Sequence, residues 1–271
     1  MMPIRILWPE GAWPCFAPDG RRIVFTAGTR LMLLSLDGDD DPHPITPPDV
    51  DAKRPTWLPG TSEVAFNRGS AIWTVDVETG RLAPFSNDER PFFHPCAYPR
   101  GRAVVVVSMY DGPHGREGVL FRLTPDSAEA LTRYPEVCAG RPGVSPDGET
   151  IVFAGNAGAC DQGANQLWLV GPDRKPRRLE DGDAVLAQGR APRWSPDGKW
   201  IACTSTRPLP DPKEASPKAV WIIRADGKDA DRLTDYDFDP LHVDWSPDQT
   251  RLVCGGFGCP LAILELPERY R

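Results

Sequence analysis

The chain of 271 residues carries 31 Lys and Arg against 38 Asp and Glu, a net charge of −7 that argues against general nucleic-acid binding, which needs a basic face. Hydrophobic residues make up 40% of it, enough for a large core, but no apolar run approaches the roughly 20 residues that span a bilayer. The seven cysteines are an odd set with no Cys-x-x-Cys pair, which predicts no disulfide framework and favours a reducing cytoplasm.

In chain order, Ile4 to Leu7 reads as a short strand, and Trp8-Pro9 follows too early for a signal peptide. A first unit comes next: Pro14 to Phe16, the turn Ala17-Pro18-Asp19-Gly20, Arg22 to Ala27, Leu31 to Leu36 and Pro44-Ile45-Thr46. These are four apolar, β-branched or aromatic strands, A to D, separated by turn residues. The second unit repeats the plan with Val64 to Phe66, Ala71 to Val77 and Leu82 to Phe85. The third has Ala103 to Ser108, Val119 to Leu123 and Ala130 to Thr132, and the fourth Thr150 to Ala154, Gln166 to Val170 and Arg177 to Leu179. The fifth has Trp200 to Ser205, Ala219 to Arg224 and Arg232 to Thr234, and the sixth stops after Arg251 to Gly255 and Leu261 to Leu266. No convincing amphipathic helix interrupts them.

The A–B turns set the period. Their prolines fall at 18, 59, 99, 146, 196 and 247, steps of 41, 40, 47, 50 and 51 residues, which marks an array of like supersecondary units. In Trp194-Ser195-Pro196-Asp197-Gly198, proline presets φ, Asp supports the turn through its side chain, and Gly takes the left-handed position. The sixth unit lacks strand D, because only 24 residues follow Pro247, and Ile4 to Leu7 stands where a strand D would stand. The sequence therefore predicts an all-β fold, one domain over residues 1–271. It is a six-bladed β-propeller of four-stranded antiparallel blades, closed by the N-terminal strand completing the last blade.

The unit of an apolar or aromatic residue, Ser-Pro-Asp-Gly, an Ile-Ala-like strand, a Leu-Trp-like strand and an ending such as Arg232-Leu233-Thr234 resembles the WD-repeat-like propeller repeat of the TolB family. The likeness spans essentially the whole chain and is strongest in the fourth and fifth units. It departs at Pro59-Gly60, at Pro99-Arg100-Gly101 and at Gln249, which stands for Gly. The resemblance implies the fold; function has to be argued from a site.

The A–B turns make one face tight and repetitive. The opposite face carries the D–A and B–C loops, and long B–C loops are expected at Tyr110 to Gly118, Gly155 to Asn165 and Thr206 to Lys218. Three residues before the aromatic position stand Trp13, Arg54, His94, Arg141, Ala191 and His242, and one before it stand Cys15, Thr56, Cys96, Gly143, Arg193 and Asp244. Repeats should give sameness here; these positions mix Arg, His, Trp and Asp instead. Arg54, Arg141, Arg190 and Arg193 can converge on a carboxylate or phosphate, or each can pair with an acid such as Asp51, Asp237 or Asp239. His94 and His242 with Asp244, Cys96 or Asp239 offer metal-ligand chemistry, against which stands the ordinary solvated loop histidine, and no metal is assigned. Asp37 to Asp41 lacks the later Glu of a calcium loop and reads as a solvated C–D loop. Trp73, Trp168 and Trp221 recur in step and read as packing between blades. Tyr110, Asp111, His114 and Arg116 from the third unit, and Asn156, Asp161 and Asn165 from the fourth, can reach over the mouth.

No Gly-x-Ser-x-Gly, Walker loop, His-Glu-x-x-His or dinucleotide fingerprint is present. The expected function is non-catalytic binding of a protein partner or a small acidic ligand on the D–A/B–C face. Trp13, Arg54, His94, Arg141, Arg193, His242, Asp244, Tyr110 and His114 are the candidate ligand-binding residues, with no cofactor assigned. The alternative is a hydrolase or lyase acting there on a small anionic or sugar-like substrate, with His94, His242 and the arginines as acid/base and anion-holding groups.

Overall fold

The computed structural model describes residues 2–38, 41–112, 115–157, 166–179, 190–206 and 217–271. Its strands form six separate four-stranded antiparallel sheets. Blade one is Ala12–Phe16, Arg22–Ala27, Arg30–Ser35 and His43–Pro44; blade two is Ala52–Trp57, Glu63–Arg68, Ala71–Asp76 and Leu82–Pro84. Blade three is Phe92–Ala97, Val104–Gly112, Gly115–Leu123 and Ala128–Ala130; blade four is Cys138–Val144, Ile151–Asn156, Gln166–Val170 and Arg177–Arg178. Blade five is Arg190–Trp194, Trp200–Ser205, Ala219–Arg224 and Asp231–Arg232. Blade six takes His242–Trp245, Arg251–Gly256 and Cys259–Glu265 from the C-terminal end and Ile4–Trp8 from the N-terminal end, in register Ile4↔Leu264, Arg5↔Ile263 and Ile6↔Ala262. Among the described residues the only helical pieces are two short 3-10 turns, Tyr236–Phe238 and Glu268–Tyr270.

A two-faced strand has to bury both faces when its sheet is stacked against neighbours, and the core divides accordingly. Six apolar clusters fill the six blade-to-blade interfaces. The one that closes the ring joins Phe16, Ile23 and Phe25 of blade one to Val253, Leu261 and Ile263 of blade six. Seven residues past each turn proline stands a fully buried residue: Phe25, Phe66, Val106, Phe153, Cys203 and Cys254. Cys203 and Cys254 thus take core positions that other blades give to Phe or Val, while Cys15 and Cys96 are half-buried nearer the axis.

The repeating turn is built as its residues dictate. The Ser145 hydroxyl donates to Asp147 Oδ1 at 2.5 Å and accepts from the Thr150 N–H at 2.9 Å, while Asp147 Oδ1 accepts from the Glu149 N–H at 2.9 Å. Ser195 with Asp197 and Ser246 with Asp248 repeat the pair at 2.6 Å. Gly20, Gly148 and Gly198 close their turns with φ of 68°, 83° and 73°, and Gln249 does so at 58°. Gln249 earns its place by bridging: its Oε1 accepts from the Asp197 N–H at 2.9 Å, and its Nε2 donates to the Tyr270 carbonyl at 2.7 Å.

Two expectations change. The third B–C segment is an extension of the hairpin, with Tyr110 opposite Glu117, Asp111 opposite Arg116 and Gly112 opposite Gly115, so a two-stranded ribbon stands where a loop was expected. The antiparallel pairing continues through Met109 to Asp111 and Arg116 to Gly118, where no proline removes a ladder donor. In addition, Cys138 is disulfide-bonded, where no disulfide framework was expected. No helix in the described residues is long and apolar enough to cross a membrane.

Candidate anion site at the channel mouth

The innermost strands of blades one to five share one irregularity. Their pairing slips between Ala12 and Cys15, Lys53 and Thr56, Phe93 and Cys96, Gly140 and Gly143, and Arg190 and Arg193. Inside each slip one residue has positive φ: Trp13 at 49°, Arg54 at 58°, His94 at 56°, Arg141 at 49° and Ala191 at 48°. Each is followed by a proline, at 14, 55, 95, 142 and 192. Proline has no N–H for the ladder and disfavours the right-handed helical region for the residue before it, so a bulge at this position loses little. A non-glycine residue held in the left-handed region costs on the order of 1 kcal/mol or more, and a bulge re-aims its side chain. Five such residues at the same end of five inner strands point their side chains at one place.

Blade six breaks the series. His242 is followed by Val243 and pairs without interruption: His242↔Gly255, Val243↔Cys254, Asp244↔Val253 and Trp245↔Leu252. The residue opposite, Gly255, is small because the blade-one backbone comes close there: a Cβ on it would lie 2.1 Å from the Gly11 carbonyl oxygen. His242 is 9% exposed, more buried than every other member of the set except Ala191, which is 3% exposed.

Trp13, Arg54, His94, Arg141 and His242 line a chamber of about 320 Å³ at the channel mouth, together with Lys53, Arg190, Leu241 and Phe257. Deeper in, bounded also by Arg193 and the bulge prolines 14, 55, 95 and 142, it narrows to about 20 Å³, room for about one water. Trp13 is the hub of one wall. Arg54 lies over its ring at 4.8 Å, His242 packs on it at 5.0 Å, and Phe257, exposed at the rim, meets it edge-on at 4.8 Å. Trp13 Nε1, Arg54 Nε and His242 Nδ1 are buried without a hydrogen-bond partner among the described residues. A buried donor left unmade costs about 1–3 kcal/mol, so three around one ring are an unusual concentration of unmet demand.

Electrostatics sharpen the picture. Burial first, then the charges of Arg54 and Arg141, hold His94 well below the ordinary histidine range. Burial, then Arg141, Arg193, Arg54 and Arg190, do the same to His242. Both imidazoles are therefore neutral at pH 7. Burial also lowers Arg54, against the opposing pull of Asp51, whose carboxylate itself pairs with Lys53 at 2.8 Å. Asp239 accepts from the Lys218 N–H at 2.7 Å.

One layer beneath, the second ring mainly ties blades together. Asp244 of blade six accepts from the Phe16 N–H of blade one at 2.9 Å, and Thr56 of blade two accepts from the Ala97 N–H of blade three at 3.1 Å. Arg193 donates to the carbonyls of Pro142 and Pro192 at 3.1 and 2.9 Å and lies 3.9 Å from Asp244. Burial raises Asp244, with Arg193 opposing, and burial together with Asp244 pushes the Cys15 thiol well up, which makes it unreactive. Gly143 is small by need, because a Cβ there would lie 2.6 Å from the Pro192 carbonyl oxygen.

Of the residues named from sequence, Trp13, Arg54, His94, Arg141, Arg193 and His242 thus come together around the chamber. Asp244 sits in the layer below. Tyr110 lies on the blade-three ribbon, 44% exposed and outside the chamber lining, with its phenol raised by burial and by a hydrogen bond to Glu117. His114, Asp161 and Asn165 fall outside the described residues. Lys53, Leu241 and Phe257 were missed. Phe257 lies in the Gly255-Gly256-Phe257-Gly258 run, where an aromatic residue among glycines was the available signal. Among the described residues no group of three or more His, Cys, Asp and Glu is placed to hold a metal ion.

No family model matches the chain, and no curated protein matches it in sequence. Many solved structures match it in shape. A gluconolactonase from Xanthomonas campestris superposes with a TM-score of 0.72 at 15% identity, covering 97% of this chain and 89% of that one. Regucalcin from Agrobacterium tumefaciens, described as a calcium-binding protein, gives 0.68 at 16% identity over 97% and 93%. TolB from Acinetobacter baumannii gives 0.64 at 18% identity over 86% of this chain, and the match covers 55% of that protein. At these identities the likeness is one of fold.

Proposed function

We propose that the propeller binds a small oxyanion, a carboxylate or a phosphate or sulfate ester, at the channel mouth, as a TolB-like binding module without catalysis. The observation that carries the proposal is the trio of buried, unpartnered polar atoms on Trp13, Arg54 and His242 around a chamber that guanidinium groups also line. Trp Nε1–H and Arg Nε–H only donate, and a neutral imidazole can present Nδ1–H, so one acceptor-rich ligand satisfies all three. Arginine adds charge and planar, two-point geometry suited to such groups. The same lining does not suit the calcium that regucalcin is described as binding, because none of the described lining residues supplies a carboxylate oxygen.

Calorimetric titration with sulfate, succinate and phosphate tests the reading. At least one should bind the wild-type protein with a fitted stoichiometry near one, and Arg54→Ala should weaken it about tenfold or more, as expected for a charge-assisted bond of about 1.5–3 kcal/mol. No heat with any of them would refute it. If only a peptide ending in a free carboxylate binds, the anion is presented by a protein partner.

The hydrolase reading has one specific observation in its favour: two imidazoles kept neutral beside arginines supply a base and an anion holder in one chamber. Against it, His242 Nδ1 meets no carboxylate to orient the ring, the third group that an activated base ordinarily needs. Turnover of a simple lactone or ester, lost in His94→Gln and His242→Gln, would favour catalysis.

A further inference from the structure

We propose that anion binding at this mouth is coupled to the uptake of one proton by His242, so that the ligand class is a dianion, held by an imidazolium together with the guanidinium groups. The inference rests on the anion-binding reading above and goes beyond it by assigning the ligand's charge and a proton.

His242 sits apart from the rest of the inner set. It is the one member of the inner set on a regular strand, nine-tenths buried, with its ring against Trp13 at 5.0 Å and its Nδ1 without a partner. The charged groups around it come from every bulged blade that carries one: Arg54 and Lys53, whose amine pairs with Asp51, from blade two, Arg141 from blade four, and Arg190 and Arg193 from blade five. Blade three contributes the neutral imidazole of His94, and blade one the Trp13 indole. On its own strand Asp244 lies one layer down and is engaged by the Phe16 N–H and Arg193. His242 thus faces positive charge in a low-dielectric chamber, which is why its ring is neutral when no anion is bound.

An anion in the chamber reverses the sign of that local field. A monoanion offsets about one of the guanidinium charges. A dianion offsets more, and because both ring nitrogens of an imidazolium carry N–H, it finds a donor at Nδ1 whichever nitrogen holds the proton of the neutral ring. Binding then raises the histidine's proton affinity, and by reciprocity a protonated histidine raises the anion's affinity. His94 lacks the stacking on Trp13 and is expected to respond less.

Sulfate is the probe, because it keeps two charges across the pH range used, with acetate as the monoanion. Calorimetric titration of the full chain from pH 8 to pH 6 should show sulfate affinity rising by up to about tenfold per pH unit, the limit for one proton taken up. Acetate should bind more weakly and with a shallower slope. His242→Gln should bind sulfate with an affinity independent of pH over that interval. Imidazole proton and carbon resonances of the wild-type protein give a second readout that does not depend on how the variant folds. The signals absent from His242→Gln should move to imidazolium positions when sulfate is added at pH 6.5. Sulfate binding with no pH dependence, or protonation of another histidine, would overturn this inference and leave the anion site standing. Absence of sulfate binding at every pH would overturn both.

Discussion

Replacing Gln249 by glycine is the substitution that the repeat itself suggests, since the fourth and fifth units close the same turn with Gly148 and Gly198. Two effects oppose one another. Glycine removes the cost of holding a side-chain-bearing residue at φ 58°, about 1 kcal/mol. It also removes the amide that bridges the blade-five turn to the C-terminal segment. The Asp197 N–H is partly accessible and can find water, so its loss costs about 1 kcal/mol; the Tyr270 carbonyl is buried and costs about 2 kcal/mol when orphaned. The net destabilisation of Gln249→Gly is therefore about 2 kcal/mol, and that of Gln249→Ala, which keeps the backbone cost, about 3 kcal/mol. For a chain of this length these correspond to falls in Tm of about 4 and 5 °C. Scanning calorimetry of the two variants beside the wild-type protein reads both numbers. A Tm for Gln249→Gly at or above wild type would show that the backbone cost outweighs the bridge and would refute the reasoning.

Four more outcomes are expected. His94 and His242 are depressed in the folded state, so the unfolded chain binds more protons below its own histidine range. Stability should be full above about pH 6.5 and fall as pH drops, by up to about 1.4 kcal/mol per unit for each histidine, and urea midpoints at pH 7.5, 6.5 and 5.5 measure it. The turn aspartates act later. Although burial opposes it, bonds from Ser195 and the Lys199 N–H hold Asp197 at about 2, so that contribution persists above the ordinary carboxylate range and is lost below about pH 4. Deleting residues 1–8 removes the partner of Cys259–Glu265 and opens an apolar edge, so the protein should lose more than about 5 °C of Tm and self-associate by light scattering, and a peptide of residues 2–9 added in trans should restore it. Gly143→Ala drives a Cβ against the Pro192 carbonyl and should cost about 2 kcal/mol or more while weakening sulfate binding, because it forces apart the inner strands that carry Arg141 and Arg193.

The architecture was legible because each turn advertises itself in five or so residues and because the last unit is short by one strand. Candidate residues at the mouth were legible through failed sameness: positions that repetition should have equalised held Trp, Arg, His and Arg. Their local conformation was not read. The signal lay in the prolines at 14, 55, 95, 142 and 192, in phase with the repeat, and in the valine that replaces them at 243. A dipeptide of any residue followed by proline is compatible with extended strand as well as with the left-handed bulge, and only the neighbouring blades decide between them. The Cys138 disulfide was illegible for a different reason: pairing depends on distance in space, and spacing along the chain gives no hint of it. The blade-three ribbon was hidden by its composition, since Tyr110-Asp111-Gly112 reads as turn when its partner strand is not in view.

The unbroken strand at His242 has a consequence for how a guest would sit. A ring of six equivalent arms would accept the same ligand in six rotational poses, and a group carried on that ligand would be presented in six directions. With five arms bent by a bulge and one straight, the poses cease to be degenerate. Selecting one of six costs only about 1 kcal/mol in mixing entropy, less than a single charge-assisted hydrogen bond supplies, so one straight arm is enough to give a rotationally repetitive scaffold a compass bearing.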